Sequence, residues 1–163
     1  MPPLPLFAPL KLPLRLLPDR LHAEVFARAF NHLMRGQSLA RRLPALDGKV
    51  VRIEISDIPN RIDCVIRGER LYPGAGRSPD VTIRGRLGDF WCLATRAEDP
   101  DTLFFHRRLS IEGDTETGLH VKNLLDALDY DVEAHLRAVL GERLAAPVLS
   151  VLRHLPLPGC RPA

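Results

Sequence analysis

Only three of the 23 basic residues in this chain are lysines, cysteine occurs three times, and no apolar run reaches membrane-spanning length. Each shortage removes a class of function. The 20 arginines are scattered among 20 acids, net charge is +3, and the only adjacent basic pairs are Arg41-Arg42 and Arg107-Arg108. A nucleic-acid surface needs a clustered stripe of cations to track phosphates, so none is expected. Cys64, Cys92 and Cys160 are odd in number and far apart, with no C-x-x-C, which suggests neither a zinc site nor a disulfide framework. Cys64 and Cys92 sit inside apolar patterns and read as small core residues, and a reducing cytoplasm fits best. No stretch approaches the ~18 apolar residues of a membrane span.

Catalytic arrangements are equally scarce. There is no G-x-S-x-G around a serine. The loop Gly74-Ala75-Gly76-Arg77-Ser78 lies between two expected strands and lacks the G-K-[ST] of a phosphate cradle, so it reads as a hairpin loop. Glu116 and His120 are one helical turn apart, but no second ligand pair accompanies them, and a surface ion pair is the better reading. Asp126, Asp129, Asp131 and Glu133 lack the alternation and central glycine of a calcium loop. The residues call for no enzyme activity, no metal and no cofactor.

What remains is ordinary globular chemistry: 163 residues, 45% hydrophobic and 26% charged. Such a chain buries about 70% of its unfolded surface as one domain. Residues 1–18 are apolar but carry prolines at 2, 3, 5, 9, 13 and 18, and Lys11 and Arg15 interrupt the greasy stretch, so no signal peptide is expected. Residues 147–163 form a similar proline-containing tail. Both ends are expected as extended segments on the surface of a domain spanning 19–146, with contact to a partner or a membrane surface as the other reading.

Within that domain Asp19 is expected to cap a first helix with an apolar stripe at Leu21, Val25, Phe26, Ala29, Phe30 and Leu33, stopping at Gly36. A short second helix is expected over 38–43, before Pro44. The period then shifts to two. Val51, Ile53 and Ile55 share one face, the turn Ser56–Asn60 follows, and Ile62, Cys64 and Ile66 repeat the alternation. A third strand at 69–72 and a fourth at Val81 and Ile83 complete an expected antiparallel meander. Asp89 is expected to cap a helix through Trp91, and Asp99-Pro100 to make a turn into 102–106. Leu109 and Ile111 mark a fifth strand. Asp114 or Thr115 caps the next helix, whose stripe is Val121, Leu124, Leu125 and Leu128. A last helix is expected from Asp131, with Val132, Leu136, Val139, Leu140 and Leu144 apolar, closed by Pro147. The class that follows is α+β: a five-stranded, mainly antiparallel sheet with helices covering one face. Short helices over an apolar sheet face can part to admit an apolar ligand.

Phe90, Trp91, Phe104 and Phe105 are four of the chain's seven Phe and Trp residues. Core packing is the commoner fate of such side chains, and lining a pocket mouth is the functional one. Arg107 and Arg108 adjoin the cluster, as solvated strand charges or as anchors for a ligand head group or an acidic partner.

The strand D-V-T-I (80–83), a helix, and R-R-L-S-I-E-G-D (107–114) resemble the sterol carrier protein type two lipid-binding family, over roughly residues 19–130. The longer motif E-D-P-D-T-L-F-F-H-R-R-L-S-I-E-G-D-T-E-T-G-L-H-V-K-N-L-L-D-A-L-D (98–129) is similar to bacterial accessory factors of oxygen-independent ubiquinone biosynthesis. The resemblance implies a cytoplasmic, non-enzymatic, sterol-carrier-like protein, with peripheral contact with the membrane as a further expectation. It would sequester isoprenoid quinone intermediates or present them to ring-hydroxylating enzymes. The implied partners are the iron–sulfur proteins UbiU and UbiV, which would hold the clusters themselves. The lipid-binding candidates are then Phe90, Trp91, Phe104, Phe105, Val121, Leu124, Leu125 and Leu128, with Arg107 and Arg108 for a head group or partner. A ligand-free scaffold holding quinone-biosynthesis enzymes together is the alternative, and a subunit lending His106 or His120 to a shared active site a third.

Overall fold

The computed structural model describes residues 18–35, 37–58, 60–74, 76–128 and 141–154, with Leu16, Ala134, Arg137 and Ala138. Nearly all of the 1–18 segment, the stop expected at Gly36 and most of the helix expected from Asp131 lie outside the described residues.

Helix α1 spans Asp19–Leu33, and Pro18 occupies the cap position expected of Asp19. Asp19 instead places its charge in the first turn, where the helix dipole favours an anion. The face that packs inward also differs from the expected stripe. Leu21, Val25 and Ala29 are exposed, whereas His22, Ala23 and Ala27 are buried, with Phe26 and Phe30 packed beside them. Two alanines one turn apart let the helix axis approach the sheet closely, which the larger Leu21 and Val25 would prevent. The C-terminal end is fastened by Asn31, whose Nδ2 donates to the Leu71 carbonyl at 2.7 Å while its Oδ1 accepts from the Leu71 N–H at 2.9 Å. A 3-10 helix over Ala40–Leu46 follows, with Pro44 inside it instead of ending it.

The strands are β1 (Val50–Ile55), β2 (Asn60–Arg67), β3 (Arg70–Pro73), β4 (Val81–Gly85) and β5 (Leu109–Gly113), in the spatial order β3-β2-β1-β4-β5. Three of the pairings are antiparallel, as expected for the class, but β1 pairs with β4 in parallel, so the first four strands are not a meander. Alternation tells which face a side chain takes and is silent on which strand lies alongside. The crossover is clamped by Asp80, whose carboxylate accepts from the Val50 N–H at 2.7 Å and whose own N–H donates to the Val50 carbonyl at 2.8 Å.

Helix α2 (Leu87–Ala94) starts three residues earlier than the sequence suggests: Arg86 is its cap, and Asp89 reaches back to accept from the Arg86 N–H at 3.3 Å. The expected turn after Asp99 is helix α3 (Pro100–Phe105), with Asp99 accepting from the Asp101 N–H and Pro100 opening the first turn. Proline is well placed there, because its missing N–H has no helical partner to lose. Helix α4 (Thr115–Asp126) is capped by Asp114, as expected. Helix α5 (Glu142–His154) carries Pro147 inside it, so the tail expected to be extended from that residue is helical to His154.

The outer sheet face is charge-paired beside the buried pair Val50 and Val65. Arg52 meets Asp63 at 2.7 Å, and Arg84 lies between Glu54 and Glu112. The inner face is apolar. Cys64 is buried there and its thiol is pushed up to about 12, first by desolvation and then by the charge of Asp63. A thiol is alkylated as its thiolate, so native Cys64 is expected to react at pH 7–8 roughly a thousandfold more slowly than an ordinary exposed thiol. Mass spectrometry of the Cys64 peptide after timed iodoacetamide treatment measures this. Cys92 is also buried.

Candidate functional site

Register fixes what faces inward. Val51, Ile53 and Ile55 of β1 align with Cys64, Ile62 and Asn60 of β2 and with Val81, Ile83 and Gly85 of β4. Leu109 and Ile111 of β5 and Leu71 of β3 extend the same surface. Every inward position of the five strands is uncharged.

The helices cover this surface unevenly. Helix α1 packs along β2 and β3, α4 packs on β5, and the 3-10 helix packs on β2 and α4. Gly118 lets α4 lie close, since a Cβ there would stand 3.3 Å from Ile111 Cγ2 and 3.7 Å from Val81 Cγ2. The middle strands are therefore reached mainly by side chains leaning in from both sides. The result is an apolar seam. On its floor Val51 and Ile53 are only partly buried, although β1 is the central strand and the flanking Ile62, Cys64, Val81 and Ile83 are buried. Central strands ordinarily have the most complete cover, so half-burial there marks a place where the roof is thin. Phe26 and Phe30 form one wall, their rings 6.2 Å apart and 29° from parallel. Phe90, Leu124 and Leu125 form the other, partly buried against the same core, and Ile111 continues the floor on β5.

The candidates named from sequence divide in two. Val121 is buried in the seam's core, Leu124 and Leu125 line it, and Phe90 joins it to a smaller cluster around Leu103 and Leu109. Leu128 packs instead with Met34 and Leu39 near the end of α1. Phe104 packs on the smaller cluster, with Lys122 Nζ 6.0 Å from its ring centroid. Trp91 is partly buried and belongs to none of the three apolar clusters. Phe105 is 85% exposed, its ring edge-on to His106, and lines nothing internal.

The two arginines part company. Arg107 is exposed and has φ of 56°, the left-handed position that ends α3, with the Arg108 N–H closing onto the Leu103 carbonyl at 2.9 Å. Arg108 turns inward. Its Nε donates to Asp89 at 2.8 Å, its Nη1 to Glu98, and its Nη2 lies 3.7 Å from Cys92 Sγ. Burial works against this charge, the two carboxylates more than offset it, and the guanidinium pKa stands above its ordinary value. Arg108 is thus a staple joining α2, the loop before α3 and β5, and its donors are engaged within the fold.

Sequence reasoning missed Phe26, Phe30, Val51, Ile53 and Ile111 as site residues, because a seam side chain and a core side chain obey the same periodicity. It also passed over His22 and Asn60. The signal for Asn60 was present: it stands one step before Ile62, Cys64 and Ile66 in their inward alternation.

Among the described residues no group of three His, Cys, Asp or Glu could hold a metal, and no helix is long and apolar enough to cross a membrane. What the described residues of the seam offer is apolar contact.

Residues 30–126 match the family model of the SCP-2 sterol transfer family. The chain is 35% identical over 122 residues to the ubiquinone biosynthesis accessory factor UbiT of Escherichia coli strain K12, covering 75% of this chain and 70% of that one. The same figures hold for UbiT of Escherichia coli O157:H7. Among solved structures, the UbiJ-SCP2 ubiquinone synthesis protein superposes with a TM-score of 0.52 at 20% identity, over 65% of this chain and 94% of that one. At that identity the superposition speaks for the fold alone.

Proposed function

Because this chain belongs to the SCP-2 sterol transfer family and is a homologue of the UbiT accessory factors, we propose that it is a lipid-binding accessory factor of ubiquinone biosynthesis. In this reading it performs no chemistry. It holds an isoprenoid quinone precursor along the seam and presents the ring to hydroxylating enzymes in an oxygen-independent route, in the cytoplasm and in peripheral contact with the membrane. The iron–sulfur proteins UbiU and UbiV are the proposed recipients. Phe105, which ends α3, and Arg107 just beyond it are both exposed, which supports contact there with such a partner or a membrane surface.

The observation that carries the proposal is the seam itself: an uncharged inner sheet face whose central Val51 and Ile53 are half-covered by side chains from α1, α2 and α4. A polyprenyl tail gains about 0.8 kcal/mol for each CH₂ taken out of water. A long apolar trough therefore suits it, and few hydrogen bonds are needed. Selectivity for tail length should be modest, since one methylene discriminates weakly.

The test is extraction of the purified protein after anaerobic expression, with mass spectrometry of the lipids. Isoprenoid phenols or quinones in stoichiometric amount are expected. A preparation that carries none, and takes up none from mixed vesicles, overturns the reading in favour of a ligand-free scaffold.

A further inference from the structure

Among the described residues, two buried side chains have no hydrogen-bond partner for any polar atom. They are His22, 7% exposed, through Nδ1 and Nε2, and Asn60, 3% exposed, through Nδ2 and Oδ1. Native proteins rarely leave such groups orphaned, because each forfeits its hydration with nothing in return. Here four polar atoms are orphaned on two residues, both within an inner layer that carries no charge.

Both fall towards the start of β2. Asn31 ties the C-terminal end of α1 to Leu71, which pairs with Ile66 near the β2–β3 turn. Ala23 and Ala27 are buried in the same cluster as Ile62, Cys64 and Ile66, so from Asn31 the helix runs back over the body of β2. Nine helical residues from Asn31 to His22 cover about 14 Å. Four strand residues from Ile66 to Ile62 cover about 13 Å. His22 accordingly stands near the level of Ile62, two residues along β2 from Asn60. On α1, His22 lies one turn before the wall residue Phe26, on the side of the helix that carries Phe26 and Leu33 towards α4. Asn60 lies inward on β2, opposite Ile55 and two residues from Ile62.

We propose that His22 and Asn60 form the polar end of the seam and hydrogen-bond the head group of the bound lipid, and that this head group is an uncharged ring bearing hydroxyl or carbonyl oxygens. The inference rests on the lipid-carrier reading and names the chemistry that reading leaves open. An imidazole in its neutral form and a carboxamide each offer both a donor and an acceptor. A phenol or quinone ring, which presents O–H, C=O or both, matches that set. A phosphate or carboxylate head group would call for cations, and no Lys or Arg stands at an inward strand position. The cations Arg52, Arg84 and Arg108 are engaged with carboxylates on the outer face or in the α2–β5 staple. The tail would then run from Asn60 along Ile53 and Val51 between the two walls.

Three lipids with the same polyprenyl chain test this by direct titration: one ending in a phenol, one in a plain hydrocarbon, one in a phosphate. The wild-type protein is expected to prefer the phenol over both others by tenfold or more. His22→Leu and Asn60→Leu are each expected to pull the phenol-to-hydrocarbon ratio towards one, while raising the melting temperature of the empty protein, since each removes an orphaned group from the interior. In the wild type, the His22 ring-nitrogen resonances should shift on adding the phenol and stay put with the hydrocarbon, a readout that needs no variant. A phenol preference unchanged in both folded variants, His22 resonances indifferent to the phenol, or tightest binding of the phosphate overturns the assignment. Failure of the wild type to bind any of the three overturns the carrier reading itself, and the assignment falls with it.

Discussion

Replacing Ile53 by tryptophan is expected to leave the protein folded and to cut its uptake of a polyprenyl lipid by tenfold or more. Ile53 sits at the centre of the inner sheet face and is only partly buried. A larger side chain there has the seam to grow into, and it takes the volume a tail would occupy. Excluding two methylenes forfeits about 1.6 kcal/mol, which already exceeds a factor of ten in affinity. Ile83, its partner across the β1–β4 pairing, is 5% exposed and has no such room. Ile83→Trp is the control, and overpacking it should cost ~1–3 kcal/mol or more. Urea unfolding and lipid titration of the two variants separate the cases. Equal destabilisation by both, or undiminished uptake by Ile53→Trp, would mean that the middle of the sheet is solid core.

The second large effect is on stability. Arg108→Met should cost about 3 kcal/mol, because it strands Asp89 and Glu98, both nearly buried, without their cation. For a chain of this size that is a fall of about 10 °C in melting temperature. Combining it with Asp89→Asn and Glu98→Gln should restore most of the loss, since the penalty lies in uncompensated charge more than in the missing attraction. Lipid affinity per folded molecule should be unchanged, because the staple lies outside the seam. A triple variant as unstable as the single one would show that Arg108 acts by packing. A loss of lipid binding in the folded variant would restore it to the head-group role the sequence suggested.

That suggestion shows where sequence reading stops. Arg107 and Arg108 are adjacent, identical and flanked by the same aromatics, yet one faces solvent and the other closes a buried ion triad. The difference arises because a left-handed residue at 107 reverses the chain, and Asp89 and Glu98 arrive from elsewhere in the fold. Phe104 and Phe105 divide in the same way, one against the core and one in water.

The sequence by itself determined the α+β class, the places of the five strands, the Asp114-capped helix and the apolar face of α4. Each depends on local periodicity or on a cap a few residues away, and both are written in the order of residues. It also carried the motif from 98 to 129 that leads to the family. Tertiary structure alone decided that β4 pairs in parallel with β1, that α1 turns its alanines inward, and that His22 and Asn60 are both buried. Those outcomes depend on which surfaces, distant along the chain, come to share a boundary. Burial is a property of both sides of a contact, and a linear pattern describes one side at a time.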